Sequence, residues 1–409
     1  MSNIVDRFLR YVKIDTESMH DVPTVPSTEK QLDLARLLQR ELEEMGAENV
    51  YLGDGGIVYA TIPTNCEKND VPVVGFVAHI DTSPDAPGAN VQARIVENYD
   101  GKDIVLNEKQ GIVMQTAAYP HLLEYVGKDL IVTDGTTLLG ADDKAGVAVL
   151  MNLAEYLLAH PEVKHGTIKL AFTPDEEVGS GVRRFDVAAF GADFAYTIDG
   201  PNLGEINSET FSAADAKIVV HGLSIHPGRA KNTMKNAILI AMELDSMLPA
   251  AERPQHTEGR EGFYHITDFD GSVSRTAMKY IIRDYDMDAF LARKARMQQI
   301  VDYLNGVYGE GTIELELTDT YYNMYEAIRP IHYIVDYVKD AMAEIGITPR
   351  EIPVRGGTDG SQLTTMGLPC PNISAAYRNN HGVFEYLCIQ DLEKNGELII
   401  RLAKSFAEK

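Results

Sequence analysis

Cysteine is scarce in this chain, and none of it is paired in sequence. Cys66, Cys370 and Cys388 form no Cys-x-x-Cys motif, and an odd count does not suggest a disulfide framework, so a reducing compartment is expected. Long apolar runs are missing too: nothing approaches the roughly 18 residues needed to span a bilayer. Positive charge is in deficit, with 37 Lys and Arg against 61 Asp and Glu and a formal net charge of -24. Nucleic acid and anionic membranes need basic patches, so neither is an expected partner; most of the negative charge reads as solvated surface. The first residues, Met1-Ser2-Asn3-Ile4-Val5-Asp6, lack the basic and apolar regions of a signal peptide, and the chain reads as cytoplasmic. There is no internal repeat and no low-complexity segment.

What is present is ordinary for a folded protein: 44% hydrophobic and 24% charged residues. A chain of 409 residues is too long for one simple core, and two domains are expected. Helix and strand signals alternate through the first half. Thr28-Glu29-Lys30-Gln31 reads as a capping box before Leu34, Leu38, Leu42 and Met45, with Gly46 as the stop. Strands are predicted at 57–62, 73–80, 167–173 and 194–198, with a buried helix over 144–158. This alternation predicts an α/β fold, a three-layer α/β/α domain.

The pattern changes near residue 207. A strand over 216–221, a helix over 232–248, a hairpin of 263–269 and 277–285 around Asp270-Gly271, a helix over 288–307 and a strand over 312–317 follow one another. That order suggests a ferredoxin-like α+β unit. Helix-and-strand alternation then resumes, with a helix near 330–345. The predicted organisation is a main domain of residues 1–207 and 319–409, interrupted by an inserted domain of 208–318.

The most informative stretch is Pro72-Val73-Val74-Gly75-Phe76-Val77-Ala78-His79-Ile80-Asp81. Strand side chains alternate with period two, so His79 and Asp81 point the same way at the end of a buried strand. Open α/β sheets bind ligands beyond the carboxyl ends of their strands. Four further elements lie at strand ends or helix starts: Gly140-Ala141-Asp142-Asp143-Lys144-Ala145-Gly146, Thr173-Pro174-Asp175-Glu176-Glu177-Val178-Gly179, Asp199-Gly200-Pro201 and Asn380-His381-Gly382. Taken singly these are a helix cap, a solvated face, a turn and a surface loop. Taken together, in this order, they can converge on one rim. Two imidazoles and three carboxylates suit two divalent ions sharing a carboxylate, and such pairs sit roughly 3.5–4 Å apart and activate water. Mixed His and carboxylate ligands suit zinc, with cobalt or manganese as alternatives. Two carboxylates remain: Asp81 can orient the imidazole of His79, and Glu176 can accept and return a proton.

These motifs, with His226-Pro227-Gly228, Ile281-Ile282-Arg283-Asp284 and Arg355-Gly356-Gly357-Thr358-Asp359-Gly360-Ser361, run in order over nearly the whole chain. The sequence resembles the cocatalytic dizinc peptidases. The resemblance implies that His79 and Asp199 hold one metal, Glu177 and His381 the other, and Asp142 bridges them through a cis Asp142-Asp143 bond. It makes Glu176 the general base and then acid, and Asp81 the catalytic carboxylate behind His79. The inserted domain becomes a lid and a possible dimerisation unit. His226 becomes a contact for substrate or oxyanion, and Arg283 and Arg355 become anchors for the substrate carboxylate, a task suited to planar guanidinium. The implied activity is removal of the N-terminal residue from tripeptides. A carboxypeptidase or N-acyl amino acid deacylase using the same metals stays open, as does a non-catalytic metal-binding relative.

Overall fold

The computed structural model describes residues 3–68 and 70–408, which divide into two compact units. The first comprises the chain up to Ser208, Glu326–Ile352 and the segment from Thr358 onward; the second comprises Glu209–Tyr325 and Pro353–Gly357.

The first unit is built on an eight-stranded sheet. Its centre runs Ile168–Thr173, Val74–His79, Phe194–Gly200 and Asn372–Ser374, all parallel. Val58–Ile62 and Glu48–Leu52 flank it antiparallel on one side. All six residues of Val74–His79 are buried, as a central strand covered on both faces requires. One face packs on the helix Ala141–Ala159, which is apolar nearly all round and is backed by Asn3–Tyr11 and Ile389–Glu408. The other face is closed by Val182, Phe185, Phe190, Leu363 and Leu368. The result is the expected α/β/α sandwich.

The predicted capping box does not form. The helix begins at Gln31 without a side-chain cap. Thr28 instead donates to the Glu17 carbonyl, and the Gln31 amide reaches across to Asp175. Gly46 does terminate the helix, at φ 87°.

A second, small sheet of the first unit joins Tyr377–Arg378, Tyr386–Cys388, Leu130–Val132 and Arg94–Val96. It holds the turn that carries His381.

In the second unit Ser212–His221, Ala237–Met247, Phe263–Gly271, Arg275–Asp284, Met287–Tyr308 and Ile313–Tyr321 alternate as βαββαβ. Phe263–Gly271 and Ile313–Tyr321 are the outer strands, and Arg275–Asp284 and Ser212–His221 the inner ones. Ile218, Val220, Ile240, Leu244, Tyr280, Phe290 and Leu304 share its core. Its first helix starts at Ala237 because Asn236 caps it, accepting from the amides of Ile238 and Leu239. Residues 353–357 join this unit through the bond from the Val354 amide to the Glu209 carbonyl.

Candidate metal centre

The geometry starts at the end of strand Val74–His79. His79 Nδ1 lies 3.3 Å from Asp81 Oδ1 and 3.2 Å from the Asp81 carbonyl oxygen. A proton on Nδ1 shared with Asp81 leaves Nε2 as the free lone pair. Nε2 faces Asp142 Oδ1 at 3.0 Å and Asp199 Oδ1 at 3.6 Å. Asp199 is the penultimate residue of the neighbouring strand, and Tyr377 donates to its carboxylate at 3.2 Å.

Asp142 opens the helix Ala141–Ala159 but is not helical itself, at φ -82° and ψ 103°, and its bond to Asp143 is cis. On its other side His381 Nε2 stands 3.5 Å from Asp142 Oδ2 and 2.8 Å from Glu177 Oε2. Asn380 also donates to Asp142 Oδ2, at 2.6 Å. The structure therefore brings His79, Asp142, Glu177, Asp199 and His381 together, with Asp142 between two groups. One ligand atom each from His79, Asp142 and Glu177 lie within 4.8 Å of one another, as do those of His79, Glu176 and Asp199.

The turn carrying Glu176 and Glu177 is fixed from both sides. The amides of both residues donate to the Asp81 carboxylate, at 3.0 and 3.2 Å. Asp175, left-handed at φ 58°, accepts from the Ser27 amide, the Ser27 hydroxyl and the Gln31 side chain.

The donor set fits divalent cations. Five carboxylates (Asp81, Asp142, Glu176, Glu177 and Asp199) surround two imidazoles, and Glu177 Oε1 is buried without a hydrogen-bond partner among the described residues. Without a cation the cluster strains its own charges. Burial, with the charge of Asp142, pushes the Glu177 carboxyl up to about 7. Burial and then Asp199 raise Glu176. Burial alone would lower His79, but its bonds to Asp142 and Asp199 outweigh that and raise it. Hydrogen bonds to Asp142 and Glu177 lift His381 to about 11. Asp142 goes the other way: the two imidazoles overcome its burial and hold it below the usual carboxylate range.

A consequence for stability follows. An acid whose folded pKa is raised stabilises the fold at low pH and loses that contribution as pH rises toward the raised value. The raised histidines act in the same direction, since their contribution is whole below the unfolded value near 6.5 and fades above it. Asp142 acts only below about pH 4, outside this window. The metal-free protein should therefore lose stability between pH 5.5 and 8, and added zinc should raise its Tm more at pH 8 than at pH 5.5. Differential scanning fluorimetry at both pH values checks this; an equal rise at both would contradict it.

Two further buried acids carry no role in the sequence reading. Glu385 accepts from the amides of Leu139, Gly140 and Asp142 at 2.7, 2.7 and 2.9 Å, holding the peptide that presents Asp142. Asp359 accepts from Thr173 at 2.6 Å, and burial pushes it up to about 7. Asp359 lies inside a motif already singled out, whereas Glu385 has no sequence signal.

His226, Arg283 and Arg355 belong to the second unit. His226 is exposed, with Nδ1 accepting from the Gly228 amide at 3.2 Å. Arg283 donates to the carbonyls of Ile282 and Ala214 and lies over the Tyr321 ring. Arg355 donates to the carbonyls of Gly259 and Glu261 and to the Thr257 hydroxyl, with its plane over Phe211 and Phe263.

A sheet-end cluster of this composition, on an α/β/α sandwich, offers ligand groups for a metal ion. The chain belongs to peptidase family M20/M25/M40, whose family model matches residues 133–405. It is 52% identical over 409 residues to the Peptidase T of Alkaliphilus oremlandii, covering all of both chains. Among solved structures it resembles the aminopeptidase PepT of Bacillus cereus, at 24% identity and a TM-score of 0.77 over 99% of this chain and 98% of that one. It also resembles the YXEP protein of Bacillus subtilis, described as a dinuclear metal-binding peptidase of the M20 family, at 15% identity and a TM-score of 0.64 over 100% and 98% of the two chains. Among the described residues no helix is long and apolar enough to cross a membrane.

Proposed function

We propose that this chain is an aminopeptidase that removes the N-terminal residue from tripeptides. The observation that carries the reading is Glu176, a half-buried acid beside the five clustered donors, on a turn that Asp81 fixes through two backbone amides. His79 and Asp199 would hold one divalent ion, Glu177 and His381 the other, and Asp142 both. Zinc suits these ligands, with cobalt or manganese as alternatives. Such ions, when bound, polarise a carbonyl and make water a nucleophile at neutral pH.

The protein's own groups supply the rest. Glu176 takes the proton from the attacking water and returns it to the departing amine, so that one acid serves both halves of the reaction. Its raised pKa suits the second half. Asp81 keeps the His79 ring turned toward the cluster. His226 is proposed as the oxyanion contact and Arg283 or Arg355 as the anchor for the substrate's C-terminal carboxylate. Capture of both substrate ends explains a length limit. The low cysteine count supports a cytoplasmic location, and a homodimer is compatible with the reading.

Comparing a free tripeptide with its N-acetylated form tests this. The free peptide should be cleaved at its first bond, and the blocked form should be left essentially intact. Preference for the blocked form would replace the reading by a deacylase of the same family.

A further inference from the structure

The two halves of the cluster are built to different standards. His79 ends a fully buried strand, and its partner Asp81 is buried and bound by two amides; their side chains are 2% and 0% exposed. His381 sits in a turn where Asn379 and His381 both adopt positive φ, at 54° and 61°. Its Nε2 faces Glu177 and Asp142, while its Nδ1 lies 3.3 Å from Asp85 Oδ2. Here the side chains are 40% and 62% exposed. The arrangement repeats that at His79: a carboxylate behind the ring, the other nitrogen toward the cluster. Both carboxylates come from one short segment, Asp81-Thr82-Ser83-Pro84-Asp85.

We infer that Asp85 is a positioning residue for His381, and that the ion held by Glu177 and His381 is the weaker and more exchangeable of the two. The inference rests on the two-metal reading above. A carboxylate behind a ligating imidazole fixes the ring's tautomer and orientation and raises its basicity. At His79 that support is rigid and shielded from water. At His381 it depends on an exposed side chain on a loop, so more ordering must be supplied when the ion binds. Asp85 contacts none of the other four donors through any ion pair or hydrogen bond found among the described residues, so its effect should fall on one ion alone.

The test is zinc titration of the metal-free full chain against a competing chelator. The unsubstituted chain should bind two equivalents in two separable steps. His381→Ala should remove the weaker step and spare the stronger. Asp85→Ala should weaken that same step about 10–100-fold, and Asp85→Glu should recover much of it. The metal-free Tm should not move, because the side chain is exposed. Unchanged steps in Asp85→Ala would overturn the inference, as would equal weakening of both. An unchanged titration with a raised KM for free tripeptides only would also overturn it, assigning Asp85 to the substrate ammonium. Failure of the unsubstituted chain to bind two ions would instead remove the two-metal reading itself.

Discussion

Glu176→Gln should keep both metal ions and lose about 10²–10⁴-fold in kcat on a free tripeptide, the range general acid–base catalysis supplies. Glutamine matches the shape of glutamate but cannot accept the proton of an attacking water. The backbone of residue 176 would still donate to Asp81, so the turn that presents Glu177 should stay in place. KM should change little, because the substitution removes an interaction made in the transition state. Metal content and steady-state kinetics on the same preparation check both halves. Full activity in the variant would remove Glu176 as the base, and loss of metal would make it a ligand instead.

Asp142→Ala should have the larger structural consequence. Among the described residues Asp142 is the one carboxylate that faces both imidazoles, through separate oxygens. Removing it takes a donor from each ion. Both ions should be lost on dialysis and hydrolysis should fall to background. The apo fold should survive, and circular dichroism checks that it does. Retention of two ions with partial activity would deny Asp142 its bridging place.

The parts of this site that were legible in the sequence were those that follow from strand geometry. A period of two sets His79 and Asp81 side by side, and the ends of adjacent parallel strands bring Asp199 and the Glu176-Glu177 turn to the same edge. What stayed hidden depends on contacts between distant segments. Glu385 holds the Asp142 peptide from about 240 residues away in sequence, and no local pattern announces it. The capping box at Thr28 failed for a similar reason: Gln31 is drawn to Asp175 by a buried carboxylate that local propensity cannot see. The small sheet that supports His381 is made of strands of two or three residues, too short to show alternation. Arg355 illustrates the opposite case. Its motif was plain, but only the fold reveals that its guanidinium lies against the carbonyls of Gly259 and Glu261.

Anomalous diffraction from zinc-soaked crystals of the unsubstituted chain and of Asp142→Ala tests the central claim most directly. Two peaks are expected in the former, one against His79, Asp142 and Asp199 and one against Asp142, Glu177 and His381, with neither peak in the variant. A single peak, or peaks away from these five side chains, would contradict it.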